Sequence, residues 1–122
     1  MSWEATTRVV KLTVGDPTRK WVLMGHANHV NPAGRTSWAS AATIAAYAEC
    51  SVRTVQRHLA VLLEEGFMRE GDQRFVAHLP VDRRPIVYDV AMSDEEQAEW
   101  REAYAQRTGR RKAAASHGRV GG

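Results

Sequence analysis

The sequence carries a single cysteine, Cys50, among 122 residues. That excludes an internal disulfide and fits a reducing compartment. Apolar runs extend for only a few residues, too short for a membrane span or for the core of a signal peptide. No membrane partner is expected, and the cytoplasm is the expected location. The chain is also poor in metal-ligand sets. His26 and His29 lie three apart, a usable ligand spacing, yet no nearby carboxylate or cysteine completes the four ligands of a structural zinc site. Neither a metal nor a cofactor is expected. The lone thiol has no base and orienting group arranged around it, so a Cys/His hydrolase lacks its context and an enzyme is not expected.

What charge there is lies unevenly. The formal net charge is +3, but residues 107–122 contain five basic residues and no acid. The first 106 residues hold the other twelve basic residues against all fourteen acids, which leaves −2. The high pI is thus largely a property of the tail. It permits a nucleic-acid partner without establishing one.

Length and composition suit one domain with a modest core and tails. The first segment, residues 1–16, has scattered apolar residues, and its pattern leaves helix or strand undecided. In "GDPTRKWVLMGHANHV" Asp16 is a helix cap and Pro17 a first helical residue, which predicts a helix over 17–29. "NPAGRTS" reads as a loop. Ser40 opens a helix over 40–48, and Ser51 opens another over 51–65, ended by Gly66. Trp21, Val22, Ile44, Val55, Leu59 and Leu62 are the expected core of these helices. Trp21, Trp38 and Trp100 read as core or docking aromatics, with Trp38 filling the gap between the first two helices and Cys50 a small buried filler. Phe67/Met68, Phe75/Val76 and Ile86 to Val90 are β-prone runs that predict two or three short antiparallel strands. Ser93 and Glu96 form a capping box for a helix over 93–107. Residues 108–122 read as a basic disordered tail.

Helices 40–48 and 51–65 are joined by a very tight turn, the pattern of a helix-turn-helix. The second helix, "SVRTVQRHLAVLLEEG", is polar at its start and apolar further on. Such a division suits a helix whose first turns enter the major groove while later residues pack inward. Arg53, Gln56 and Arg57 point away from the Val55–Leu59–Leu62 stripe. Arginine pairs bidentately with guanine and glutamine with adenine, so these three are the expected base contacts. Ser40, Ser51, Thr54, Arg35, Arg83 and Arg84 are expected on the DNA backbone, the last two at the edge of a hairpin wing. Arg110, Arg111 and Lys112 are candidate phosphate contacts in the tail. The solvated-face reading of the "RTVQR" stretch weakens once the tight turn, Gly66 and the following strands are counted with it.

Two stretches, "RKWVLMGHANHVNPAGRTSWASAATIAAYAECSVRTVQRHLAVLLEEGFM" and "RRPIVYDV", resemble the winged helix-turn-helix domains of small actinobacterial, phage and plasmid regulators and replication initiators. The resemblance covers roughly residues 17–91. Cys50 departs from it, standing where that family usually has leucine or valine. The segment 69–82 departs as well, with two arginines against three acids.

The expected architecture is therefore α+β, mainly α: a winged helix-turn-helix over 17–92 with an added C-terminal helix. The expected function is sequence-specific binding of double-stranded DNA in transcriptional regulation. A replication-initiation or excision factor would use the same face, and a protein-interaction adaptor is the rival from another class, with a protein partner in place of DNA. On helix 93–107, Trp100, Ala103, Tyr104 and Arg107 share one side, and such a stripe docks either on its own domain or on a second copy. Small helix-turn-helix proteins commonly bind paired half-sites as dimers, so a homodimer on DNA is expected.

Overall fold

The computed structural model describes residues 3–31 and 34–120, with side chains through residue 109. Five helices surround a small sheet: α1 (Trp3–Lys11), α2 (Pro17–Asn28), α3 (Ala41–Ala48), α4 (Val52–Glu64) and α5 (Asp94–Val120). The strands are β1 (Thr36–Ser37), β2 (Met68–Glu70) and β3 (Tyr88–Val90), all antiparallel in the order β1-β3-β2. This is the expected α+β winged helix with a C-terminal helix.

Local chemistry explains the helix starts. The Asp16 carboxylate accepts from the Arg19 N–H at 3.0 Å, with Pro17 at the first helical position. Ser40 and Ser51 cap α3 and α4 by accepting from the N–H groups of Thr43 and Thr54, both at 3.1 Å. At the other end of α4, the N–H of Phe67 reaches the Leu62 carbonyl at 3.0 Å and that of Gly66 reaches Leu63 at 3.2 Å. That is a Schellman closure, with Gly66 in the left-handed region at φ 81°. A Cβ on Gly66 would also collide with the Gln97 carbonyl oxygen, so glycine lets α5 cross the end of α4 closely.

The core gathers Ala5 and Val9 of α1, Val22, Leu23 and Ala27 of α2, Ile44 of α3, and Val55 and Leu62 of α4. α1 docks on α2, which settles the undecided N-terminal segment as a helix. It also centres the buried arc of α2 on Val22, Leu23 and His26. Trp21 falls at the rim of that arc and is 58% exposed, so it is not the core residue its spacing suggests. Leu59 is half-buried against the core, and Cys50 packs there likewise.

Other departures concern the sheet. The segment expected as a loop contains β1, which pairs with β3 through Thr36↔Asp89 and Ser37↔Tyr88. Phe75 and Val76 lie in a 3₁₀ turn, Gln73–Val76, and a second spans Val81–Arg83. The Gln73 side chain explains why no strand forms there. Its amide nitrogen donates to the Val87 carbonyl at 3.1 Å and its oxygen accepts from the Val87 N–H at 3.0 Å. A side chain thus supplies the rung that a neighbouring strand would have made. Trp38 does not fill the gap between α2 and α3; it is 38% exposed and stacks on Phe75, with ring centroids 5.5 Å apart.

α5 begins as expected. Ser93 accepts from the Glu96 N–H at 3.1 Å, and the Glu96 carboxylate accepts from the Met92 N–H at 2.8 Å. The helix then continues to Val120, past the predicted end at 107. Arginine, lysine and alanine are strong helix formers, and "RRKAAA" outweighs Gly109.

Candidate nucleic-acid interface

α3 ends with Glu49 in the left-handed conformation (φ 51°, ψ 48°), and its N–H turns back to the Ala45 and Ala46 carbonyls. Cys50 and Ser51 complete a three-residue connection before Val52. The chain therefore makes the sharp turn of a helix-turn-helix without the glycine often found there. Val55 and Leu62 fix α4 against the core, and His58 approaches the Asp16 carboxylate at 3.7 Å. With these inward, the opposite side of α4 presents Arg53, Gln56 and Arg57, all exposed. Among the described residues none of the three side chains has a hydrogen-bond or ion-pair partner. They form one group of donors at the N-terminal half of the second helix.

The remaining expected contacts divide differently. Arg35 forms an ion pair with Glu96 and lies 5.8 Å from the Trp100 ring centre, so it serves the docking of α5. Arg84 donates to the carbonyls of Leu79 and Ala77, both at 2.8 Å, and holds the wing loop closed. The Ser40, Ser51 and Thr54 hydroxyls are engaged in the caps, with Ser51 Oγ 3.0 Å from Thr54 Oγ1. Arg83 is exposed, with no partner among the described residues. The side chains of Arg110, Arg111 and Lys112 lie outside the described residues. Trp100 is buried within its own protomer, where the Arg69 guanidinium sits 4.3 Å from its ring centre.

Asp89 is a structural centre that sequence reasoning missed. Its carboxylate is buried and accepts from Thr36 Oγ1 at 2.9 Å and Arg69 Nε at 3.0 Å, tying all three strands together. An acid inside "IVYDVA" was a signal that it faces something cationic. His26 is buried too, with Nδ1 3.0 Å from Ser37 Oγ; burial holds its pKa at about 4, so the ring is neutral at pH 7. His29 bonds instead to the Tyr47 hydroxyl at 2.9 Å. Among the described residues no group of three or more His, Cys, Asp or Glu side chains could hold a metal. Among those residues, too, no helix is long and apolar enough to cross a membrane.

Residues 21–68 match a protein family described as a helix-turn-helix domain. The match runs from the start of α2's buried arc through α3 and α4 to the first residue of β2. Neither a curated protein nor a solved structure matches the chain.

Proposed function

We propose that this protein binds double-stranded DNA in a sequence-specific manner, with the first half of α4 in the major groove. The observation that carries this reading is the group Arg53, Gln56 and Arg57. These side chains are exposed and unpartnered among the described residues, and they stand on the second helix of the motif. Long donors left idle by the fold, on a helix held from behind, suit base edges. Arg83 reaches phosphate from the wing, and Ser51 and Thr54 lie at the cap close to the backbone. Arg35 and Arg84 are left out, because the fold occupies them. The process we propose is transcriptional regulation. A reporter fused to the protein's own binding site distinguishes this from a replication or excision role. Of the stripe on α5, Trp100 docks within its own protomer while Ala103 and Arg107 are exposed, and sedimentation of the free protein and of its DNA complex tests the homodimer.

The deciding experiment titrates a selected duplex and a random duplex over a salt series. The reading requires a clear preference for the selected duplex that persists as salt rises. Equal, steeply salt-dependent binding to both would leave only non-specific attraction. Binding to neither would favour a protein-interaction adaptor.

A further inference from the structure

The helix-turn-helix and the wing do not close fully on each other. Between them lies a pocket of about 120 Å³. Its apolar walls come from Ala39, Val55, Leu59 and Ile86. Its polar groups are His26, Tyr88 and Gln56. Nδ1 of His26 is engaged with Ser37, but among the described residues Nε2 has no partner. The Tyr88 hydroxyl has none either. Among the described residues the side-chain nitrogens buried without a partner are Arg8 Nη2 and Arg19 Nε. Nε2 of His26 is not one of them, so it meets solvent, and a polar guest in the pocket can take that solvent's place.

Size and chemistry narrow the guest. An apolar cavity of roughly 150 Å³ takes up benzene, so this one admits a single small ring. Charged guests are disfavoured, because the walls offer no compensating charge. His26 is neutral, and Ser37 can either donate to or accept from its Nδ1. Nε2 is accordingly an acceptor or a donor, and a hydroxyl matches both cases.

We propose that this pocket binds a small hydroxylated apolar ring of phenol's kind, with the hydroxyl on Nε2 of His26, and that its occupancy alters DNA reading by Gln56. The second half of the proposal rests on the function proposed above. Gln56 belongs to both surfaces, as a wall of the pocket and as one of the exposed donors of α4. A guest that displaces its stem, or spreads α4 from Ile86, changes how the outer face meets a duplex.

Phenol is the probe, titrated into the full chain while the His26 ring and the Gln56 side-chain amide are followed by NMR. Saturable shifts at both are expected. Toluene, which has the shape without the hydroxyl, should bind several-fold more weakly. Ala39→Leu fills the pocket from the segment ahead of α3 and should abolish the response; if it misfolds by circular dichroism, Leu59→Phe fills the same space from α4. Linear shifts, equal binding of toluene, or an undiminished response in the folded filled variant overturn the pocket. A second arm measures DNA affinity with and without saturating phenol. A change in the parent that vanishes in the filled variant supports the coupling, and an unchanged affinity overturns it. Failure to bind DNA either with or without phenol would overturn the coupling and the proposed function together, while the NMR arm still decides the pocket.

Discussion

Two sets of arginines occupy this molecule. Arg8, Arg35, Arg69 and Arg84 are anchored: to the Ala91 carbonyl and Asp94, to Glu96, to Asp89, and to two wing carbonyls. Arg53, Arg57 and Arg83 have no such partner among the described residues. The anchored set fastens α1 and α5 to the sheet and closes the wing loop, and the free set lies on α4, the wing and, with Arg101, α5. Net charge cannot tell these sets apart. What distinguishes α4 is a group, Arg53 and Arg57 beside Gln56, whose geometry the fold fixes through one helix while leaving the side chains idle.

The comparison is tested first where the largest change is expected. Leu62 is fully buried behind the free set, so Leu62→Ala should lower stability by about 2–5 kcal/mol in urea unfolding. Leu59→Ala, at a half-buried site, should cost distinctly less; equal losses would mean that α4 is rotated about its axis. Next comes pH. The folded state holds His26 near a pKa of about 4 against an ordinary 6.5. Below pH 6.5 the unfolded chain takes up a proton that the folded chain resists. Stability therefore falls as pH drops from about 6.5 to about 4, by up to about 3 kcal/mol. Unfolding at pH 7 and pH 4.5 should show this loss in the parent and a smaller one in His26→Gln.

Removing a free arginine should do the reverse of removing an anchored one. Arg57→Ala is expected to weaken the preferred duplex by about 1–3 kcal/mol and relax one base position, with stability changed by less than about 0.5 kcal/mol. Arg69→Ala is expected to lower stability by about 1 kcal/mol, its guanidinium being half exposed, and to leave the affinity of the folded protein alone. Should both variants behave alike, the division is wrong. The smallest effect belongs to the tail. Truncation after Arg107 should weaken all duplexes equally and flatten the salt dependence by about one unit of slope for each phosphate the tail neutralises.

The helical part is legible in the sequence because caps and period are local signals. Asp16–Pro17, Ser40, Ser51 and Gly66 each act within four residues, and each stands at the helix end its chemistry suits. The sheet is less legible. A two-residue strand such as Thr36–Ser37 has no period to detect, and its partner lies more than fifty residues away. The wing's 3₁₀ turn depends on the Gln73 side chain meeting Val87, which no local pattern announces. Trp21 and Trp38 mislead because hydrophobic character alone does not bring burial; the neighbouring helices decide which apolar residues are covered. Among the candidate site residues, the exposure of Arg53, Gln56 and Arg57 is readable from the α4 stripe. The partners of Arg35 and Arg84 are not, since both come from packing between distant segments.

The route by which Thr36 meets Asp89 bears on how the chain folds. Those residues are 53 apart in sequence, and their hydrogen bond of 2.9 Å joins β1 to β3 across the whole helix-turn-helix. The intervening helices meet one another over much shorter separations. Loop closure without them would be entropically costly, so strand pairing should follow helix docking. Thr36→Val would then speed unfolding while leaving the refolding rate nearly unchanged, whereas a slowed refolding rate would put the sheet in the folding nucleus. On this order of events, α4 is set against the core before the wing closes beside it, and a nascent chain has the second helix of its motif in place before the last third has joined the sheet.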